Sequence, residues 1–182
     1  MAQFNKQEFI DSTLKKIADQ KAFVKELSQS PIEEITKKAS EKEWSALECV
    51  DHMNKAMSLY TEQMKELNLE SGEEEIVKIG LKGNFFAEGM RPKGEKISYK
   101  MPTTKIFVPE KNDATIILEN FLKTLDWSEN FLLKNRQNKW HKVKVTSALG
   151  PLVKFNLAEA FNFLLAHNER HILQARKAMN RM

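Results

Sequence analysis

Helix breakers in this chain are confined to a few places, and that confinement restricts the fold more than any other feature. Five of the six glycines and three of the five prolines lie between residues 71 and 112, and Gly150-Pro151 form a second break. The rest is free to form long regular elements, and four stretches carry apolar residues at three- and four-residue steps, the period of an amphipathic helix.

In the first stretch Ile10, Leu14, Ile17, Val24 and Leu27 recur with Lys and Glu between them, and Ser28 to Pro31 ends the run. The second is expected to start near Ser40, with Glu43 three residues on as a capping box, and to run through Trp44 to about Leu69. Met53, Ala56, Tyr60, Met64 and Leu67 form its apolar face, with Glu48, Asp51, Lys55 and Glu62 on the other side. The third follows Pro109, capped by Asn112 or Asp113, and reaches about Lys139 on a stripe of Ile117, Leu118, Phe121, Leu125 and Leu132. The fourth runs from about Phe155 to Ala178, its seam reading Leu157, Phe161, Leu164, His167, His171, Ala175 and Ala178.

Between the second and third helices, Glu73 to Met90 is expected to be helical although Gly80 and Gly83 weaken it, and Lys93 to Pro109 reads as a loop. Lys142 to Thr146 alternates polar residues with Val143 and Val145, as a short extended segment does. Four amphipathic helices with one long connection point to an all-α fold, a four-helix bundle, in a single domain over residues 1–182. The long connection allows the second and third helices to run parallel.

Composition narrows the class. At 182 residues, 41% hydrophobic and 30% charged, the chain has the balance of a globular protein large enough to bury a core. Cys49 is the sole cysteine, which excludes an intramolecular disulfide and suits a reducing compartment. Charges throughout the first thirty residues argue against a signal peptide, and no segment has the apolar length to cross a bilayer, so a cytoplasmic protein is expected. The net charge of +4 is small. Its densest basic stretch, Lys134, Arg136, Lys139, Lys142 and Lys144, reads as a helix C-terminus followed by a solvated loop, with an anion-binding patch as the alternative.

The chemistry, if any, centres on histidine. The chain has four, and His167 and His171 stand four apart on the fourth helix. That step advances about 6 Å and overshoots a full turn by about 40°, so both imidazoles leave one face and can converge on one ion. The face is the apolar seam, where an unpaired imidazole is costly; a metal would satisfy it, and so would a carbonyl or hydroxyl. Four scattered histidines give an i,i+4 pair by chance in roughly one chain in fifteen, so the pair alone is a moderate signal. His52, at the edge of the second helix's apolar face, supplies a third imidazole. Three neutral imidazoles from two helices would leave positions open for water, as in catalytic sites, and suit zinc, nickel or another borderline divalent ion.

Other candidates have simpler readings. Trp44 fits a core anchor better than a stacking surface, and Cys49 a small buried hydrophobe better than a soft ligand or reactive thiol. Glu48, Asp51 and Glu169 could orient imidazoles, although solvated helix surface suits each, and His141 reads as surface. The residue after His167 is Asn, so the HExxH arrangement is absent, as are a P-loop, a GxGxxG and a serine-hydrolase elbow.

Trp44-Ser45-Ala46-Leu47-Glu48-Cys49-Val50-Asp51-His52 resembles the tryptophan-to-histidine opening of the second helix in the DinB-like superfamily. Gly150-Pro151-Leu152, followed by His167-Asn168-Glu169-Arg170-His171-Ile172-Leu173-Gln174, resembles that superfamily's last helix, and Phe107-Val108-Pro109 its approach to the third. The resemblance implies a four-helix bundle with up-down-down-up topology and a three-histidine metal site, whose matching positions here are His52, His167 and His171. It also implies a homodimer. Members include YfiT-like metal-dependent hydrolases and low-molecular-weight-thiol transferases.

The expected function is therefore that of a metal-dependent enzyme acting on small electrophilic substrates, which enter between the helix ends with the 71–112 connection as a lid. The lack of a clear general base favours transfer of a low-molecular-weight thiol over hydrolysis. The alternative is a non-catalytic, stress-associated metal-binding or interaction protein in which the ion fastens the second helix to the fourth. Nucleic-acid binding through residues 134–144 is a weaker third, since no reader motif accompanies the charge.

Overall fold

A computed structural model describes residues 1–97 and 102–180. Part of the expected loop over Lys93 to Pro109, and the last two residues of the expected domain, lie outside the described residues. The chain is mostly helical. Among the described residues, four long helices, α1 (Lys6–Ser28), α3 (Ala46–Lys65), α5 (Ala114–Lys134) and α6 (Leu157–Ala178), are accompanied by two short ones, α2 (Ile32–Thr36) and α4 (Leu81–Met90). Among the described residues no helix is long and apolar enough to cross a membrane.

Caps explain where these helices begin, and they correct three expected boundaries. The second long helix starts at Ala46 rather than Ser40, because the working capping box is Ser45 with Glu48: the Ser45 hydroxyl accepts from the Glu48 N–H, and the Glu48 carboxylate accepts from the Ser45 N–H at 2.8 Å. Asn156 and Glu159 form the same box for α6, so Phe155 falls in a strand. Asp113 caps α5, which ends at Lys134 rather than near Lys139; the Asn135 amide turns back to the Phe131 carbonyl at 2.8 Å, and the Trp140 indole donates to the Asn135 carbonyl.

Among the described residues there are also two small antiparallel sheets, absent from an all-α expectation. β1 (Ala2–Asn5) pairs with β2 (Ile76–Ile79), and β3 (Val145–Ser147) with β4 (Gly150–Phe155). The helix expected over Glu73 to Met90 is thus β2 followed by α4. Ile76, Val77 and Ile79 suit a pleat, with Val77 and Ile79 facing inward, and Gly80 ends the strand as the N-cap of α4. Gly150, at φ +124, takes the backbone conformation that the turn between β3 and β4 requires.

The long helices share one apolar core. α3 packs on α5 and α6, and α1 packs on the same two helices. Between α1 and α6, Lys16 meets Glu169, and Gln20 accepts from the Asn168 amide at 2.9 Å. Between α1 and α5, Lys21 pairs with Asp126 at 2.6 Å, while Asp11 meets Arg136 just past α5. Between α3 and α5, the Thr124 hydroxyl donates to Asn54 at 2.8 Å, and between α3 and α6 the rings of Tyr60 and Phe163 lie 6.4 Å apart. The short helix α4 lies on α6, close enough that Gly83 sits against the Glu159 side chain.

One stretch before α5 is bolted to α3 through its backbone. The Phe107 carbonyl accepts from His52, the Val108 carbonyl from Lys55 at 2.8 Å, and the Glu110 N–H donates to Asp51 at 2.9 Å. Asp51, assigned from its helical phase to the solvent face, is therefore buried.

Candidate metal centre

The register set by Ser45 turns His52 inward from α3, and the i,i+4 step on α6 stacks His167 and His171 opposite it. The structure brings the three expected imidazoles together. Ring centroids are 4.5 Å apart for His52–His171 and His167–His171, and 5.0 Å for His52–His167. His52 Nε2 lies 3.0 Å from His167 Nε2, and one nitrogen from each ring lies within 4.8 Å of the others. His52, expected at a helix shoulder, is only 6% exposed, close to the 7% and 8% of His167 and His171.

The partners of the opposite ring nitrogens orient each imidazole. His52 Nδ1 is 2.8 Å from the Phe107 carbonyl, which can only accept, so the proton sits on Nδ1 and Nε2 presents a lone pair. His171 Nδ1 lies 3.1 Å from the Gln174 amide oxygen, an acceptor for a proton on that nitrogen. His167 Nδ1 faces the Asn168 oxygen at a longer 3.4 Å, and that amide is oriented by its own nitrogen, which donates to Gln20 and contacts Met57 Sδ at 3.0 Å. These acceptors hold the rings much as hydrogen-bonded partners hold metal-ligating histidines.

Electrostatics keep the rings neutral. Burial lowers the pKa of His52, the Phe107 carbonyl opposing it in part. Burial, and then the proximity of His52, push His167 down to about 3. His171 lies well below its ordinary value, first through burial and then through the other two rings. Three neutral nitrogen donors facing one point suit a borderline divalent ion. Two ligands about 2.1 Å from a shared tetrahedral ion stand roughly 3.4 Å apart, near the observed 3.0 Å. The donor set can hold a metal ion.

A cavity of about 440 Å³ opens beside the histidines, walled by Trp44, Met90, Phe107, Leu149 and Phe163 among others. Trp44, expected as a core anchor, is half-buried at this edge, its ring 4.8 Å from that of His52 and 5.9 Å from that of His171. Cys49 is fully buried, outside the cluster, and burial raises its thiol pKa.

The carboxylates proposed to orient imidazoles do other work. Glu48 caps α3 and pairs with Lys38, and Glu169 joins Lys16 to Arg91. Asp51 holds the segment that carries Phe107, and its charge also favours a protonated His52, against the larger effect of burial. His141 is exposed and bonds Glu74 at 2.8 Å. In the basic stretch, Arg136 pairs with Asp11, and Lys139 and Lys142 with Glu70. The Phe107 carbonyl and Gln20 were missed because a backbone acceptor and a glutamine on another helix leave no local pattern.

The family model described as the DinB superfamily matches residues 17–175. No curated protein and no solved structure matches the chain.

Proposed function

The chain belongs to the DinB superfamily, and from that premise we propose that His52, His167 and His171 hold one divalent ion, zinc or nickel, in a metal-dependent enzyme for small electrophilic substrates. The observation that carries the reading is the convergence of three neutral imidazole nitrogens, each oriented from behind, at the wall of a cavity. A bound ion would supply Lewis acidity, lowering the pKa of a ligated thiol or water. The chain's residues orient the imidazoles through Phe107, Asn168 and Gln174, and the apolar wall of Phe107, Phe163 and Met90 keeps water from the reacting groups.

Transfer of a low-molecular-weight thiol is favoured over hydrolysis. Hydrolysis calls for a base to take a proton from the attacking water. The single carboxylate in the described lining of the cavity is Glu43, which is exposed at its mouth. A thiol starts far closer to ionisation than water, with an ordinary pKa of about 8.5, so the same acidification leaves it a thiolate without such a base.

The architecture proposed with this function is one domain with up-down-down-up helix order. Residue numbers rise together across the α1–α6 contacts (Lys16 with Glu169, Glu26 with Arg176) and in opposite directions across α1–α5 (Lys21 with Asp126, Asp11 with Arg136). They run oppositely across α3–α6 as well (His52 with His167, Tyr60 with Phe163). A cytoplasmic homodimer is part of the reading, and sedimentation of the purified protein tests the dimer.

Elemental analysis of purified protein beside His171→Ala is the first test. Stoichiometric metal in the wild type and none in the variant is the expected result; metal retained by the variant, or none taken up by the wild type, overturns the site. A panel of thiols with 1-chloro-2,4-dinitrobenzene then tests transfer. The second reading, an ion that only fastens α3 to α6, draws on the origin of the ligands in those two helices. Full metal occupancy without turnover of any thiol, together with a large fall in Tm on chelation, selects it.

A further inference from the structure

The cavity beside the histidines is charged unequally, and the inequality bears on what it accepts. Among its described lining residues are three cationic side chains, Lys42, Arg170 and Lys177, against one carboxylate, Glu43. Arg170 and Lys177 stand on the stripe of α6 that also carries His171 and Gln174 into the cavity. Lys42 approaches from the segment before α3.

These charges are not equivalent. Lys42, Glu43 and Lys177 are exposed at the mouth, whereas Arg170 is 7% exposed. Lys177 also donates to the Glu95 carbonyl, which holds its stem against the cavity rim. A guanidinium keeps its charge at any physiological pH and carries five N–H groups in a fixed fork, so it can serve more than one partner at once. Most of the remaining wall is apolar, with Ala56, Met90, Phe107, Leu149 and Phe163. An ion on three neutral imidazoles would add positive charge that no carboxylate ligand offsets.

We propose that the cavity selects substrates bearing an anionic group, a carboxylate, on an apolar body, with Arg170 as the specificity-determining residue and Lys177 and Lys42 attracting the anion at the mouth. The proposal rests on the reading of this cavity as the substrate site, and it deepens that reading by naming the substrate class. The apolar body lies against Phe107 and Phe163, and the carboxylate accepts two parallel N–H bonds from the guanidinium, a pairing roughly twice as strong as a neutral hydrogen bond.

Calorimetric titration of the full chain with 4-phenylbutyrate and with 4-phenylbutyramide, in metal-free and zinc-loaded protein, tests it. The carboxylate is expected to bind metal-free protein about tenfold more tightly than the isosteric amide. The preference should shrink as salt is raised. Arg170→Gln should bring the two ligands to within about twofold by weakening the carboxylate alone, and Lys177→Gln, at an exposed position, should reduce the preference by a smaller factor if the first variant does not fold. Equal affinities in the wild type, no binding of either ligand, or a preference that survives both substitutions overturns the proposal. A preference present only with zinc also overturns it, because the carboxylate would then be ligating the ion. Failure to bind zinc with the preference intact leaves this proposal standing and removes only the metal reading.

Discussion

The backbone carbonyl of Phe107 accepts the Nδ1 proton of His52 at 2.8 Å, across 55 positions of sequence, and so decides which nitrogen of that imidazole is free to ligate. The carbonyl is itself held in place, since Lys55 and Asp51 bind the next residues of the same segment to α3. The orientation of one candidate ligand therefore depends in part on a carboxylate that is not itself one of the three candidate ligands.

Asp51→Ala should weaken zinc binding about tenfold, the lower end of the range for removing support behind a metal ligand. It should also cost about 1 kcal/mol of stability, because the part-buried Glu110 N–H bond is lost. Competition with a chromogenic chelator and urea denaturation measure the two effects, and unchanged zinc affinity would count against the coupling.

Chelation should destabilise the folded chain. An ion that binds the native state at a thousandfold excess over its Kd contributes about 4 kcal/mol. For a chain of this size that is roughly a 10 °C difference in Tm between zinc-loaded and EDTA-treated protein. His171→Ala should show no such difference on calorimetry.

Gly83→Ala should destabilise despite the better helix propensity of alanine. A Cβ there would stand 2.6 Å from Cγ of Glu159, a buried side chain that caps α6 and accepts from the Gly80 N–H at 2.8 Å. The overlap should outweigh the propensity gain, for a net loss of about 1–2 kcal/mol. Gly89→Ala, with nothing within 4 Å of the added carbon, should instead be neutral or stabilising. Paired urea titrations of the two variants check the contrast.

Tyr60→Phe should loosen the loop beside the cavity. The buried phenol meets the Ser147 hydroxyl at 3.0 Å and accepts from the Ala148 N–H at 3.0 Å, and Ala148 and Leu149 line the cavity. Loss of these bonds should cost about 1–3 kcal/mol and speed amide exchange at Ala148.

Stability should fall at alkaline pH through Cys49. Burial raises its thiol pKa well above the ordinary value of about 8.5. From that unfolded value up to the folded one, the native state keeps a proton the unfolded chain has lost, so stability declines as pH rises through the window and is unaffected below it. Cys49→Ala should flatten the decline in urea midpoints between pH 8 and 10 relative to wild type, and the native thiol should react with Ellman's reagent only on unfolding.

Much of the fold was legible because it is local. The stripes of α1, α3, α5 and α6 repeat every turn, and most of the residues picked out on them are buried. Boundaries were less so: Ser40 with Glu43 and Ser45 with Glu48 satisfy the same capping pattern, and the choice between them depends on what each helix end packs against. The extended segment expected at Lys142 to Thr146 appears shifted, as β3, because its pairing with Phe155 and Lys154 sets its limits. The pairing of β1 with β2 had no signal in either strand, since each is four residues long and its partner lies more than seventy positions away.

The site divides along the same line. His167 and His171 share a face because four residues span about one helical turn, a consequence of backbone geometry that any reader of the chain can draw. Whether His52 meets them, and which nitrogen each ring turns toward the others, depended on the packing of α3 against α6 and on acceptors such as Phe107 and Asn168. Amino-acid order by itself determined the amphipathic helices and the paired imidazoles, since both follow from helical periodicity. Only tertiary structure decided the third histidine's place, the ring orientations and the charged cavity, because these arise from contacts between segments whose separation along the chain carries no periodic signature.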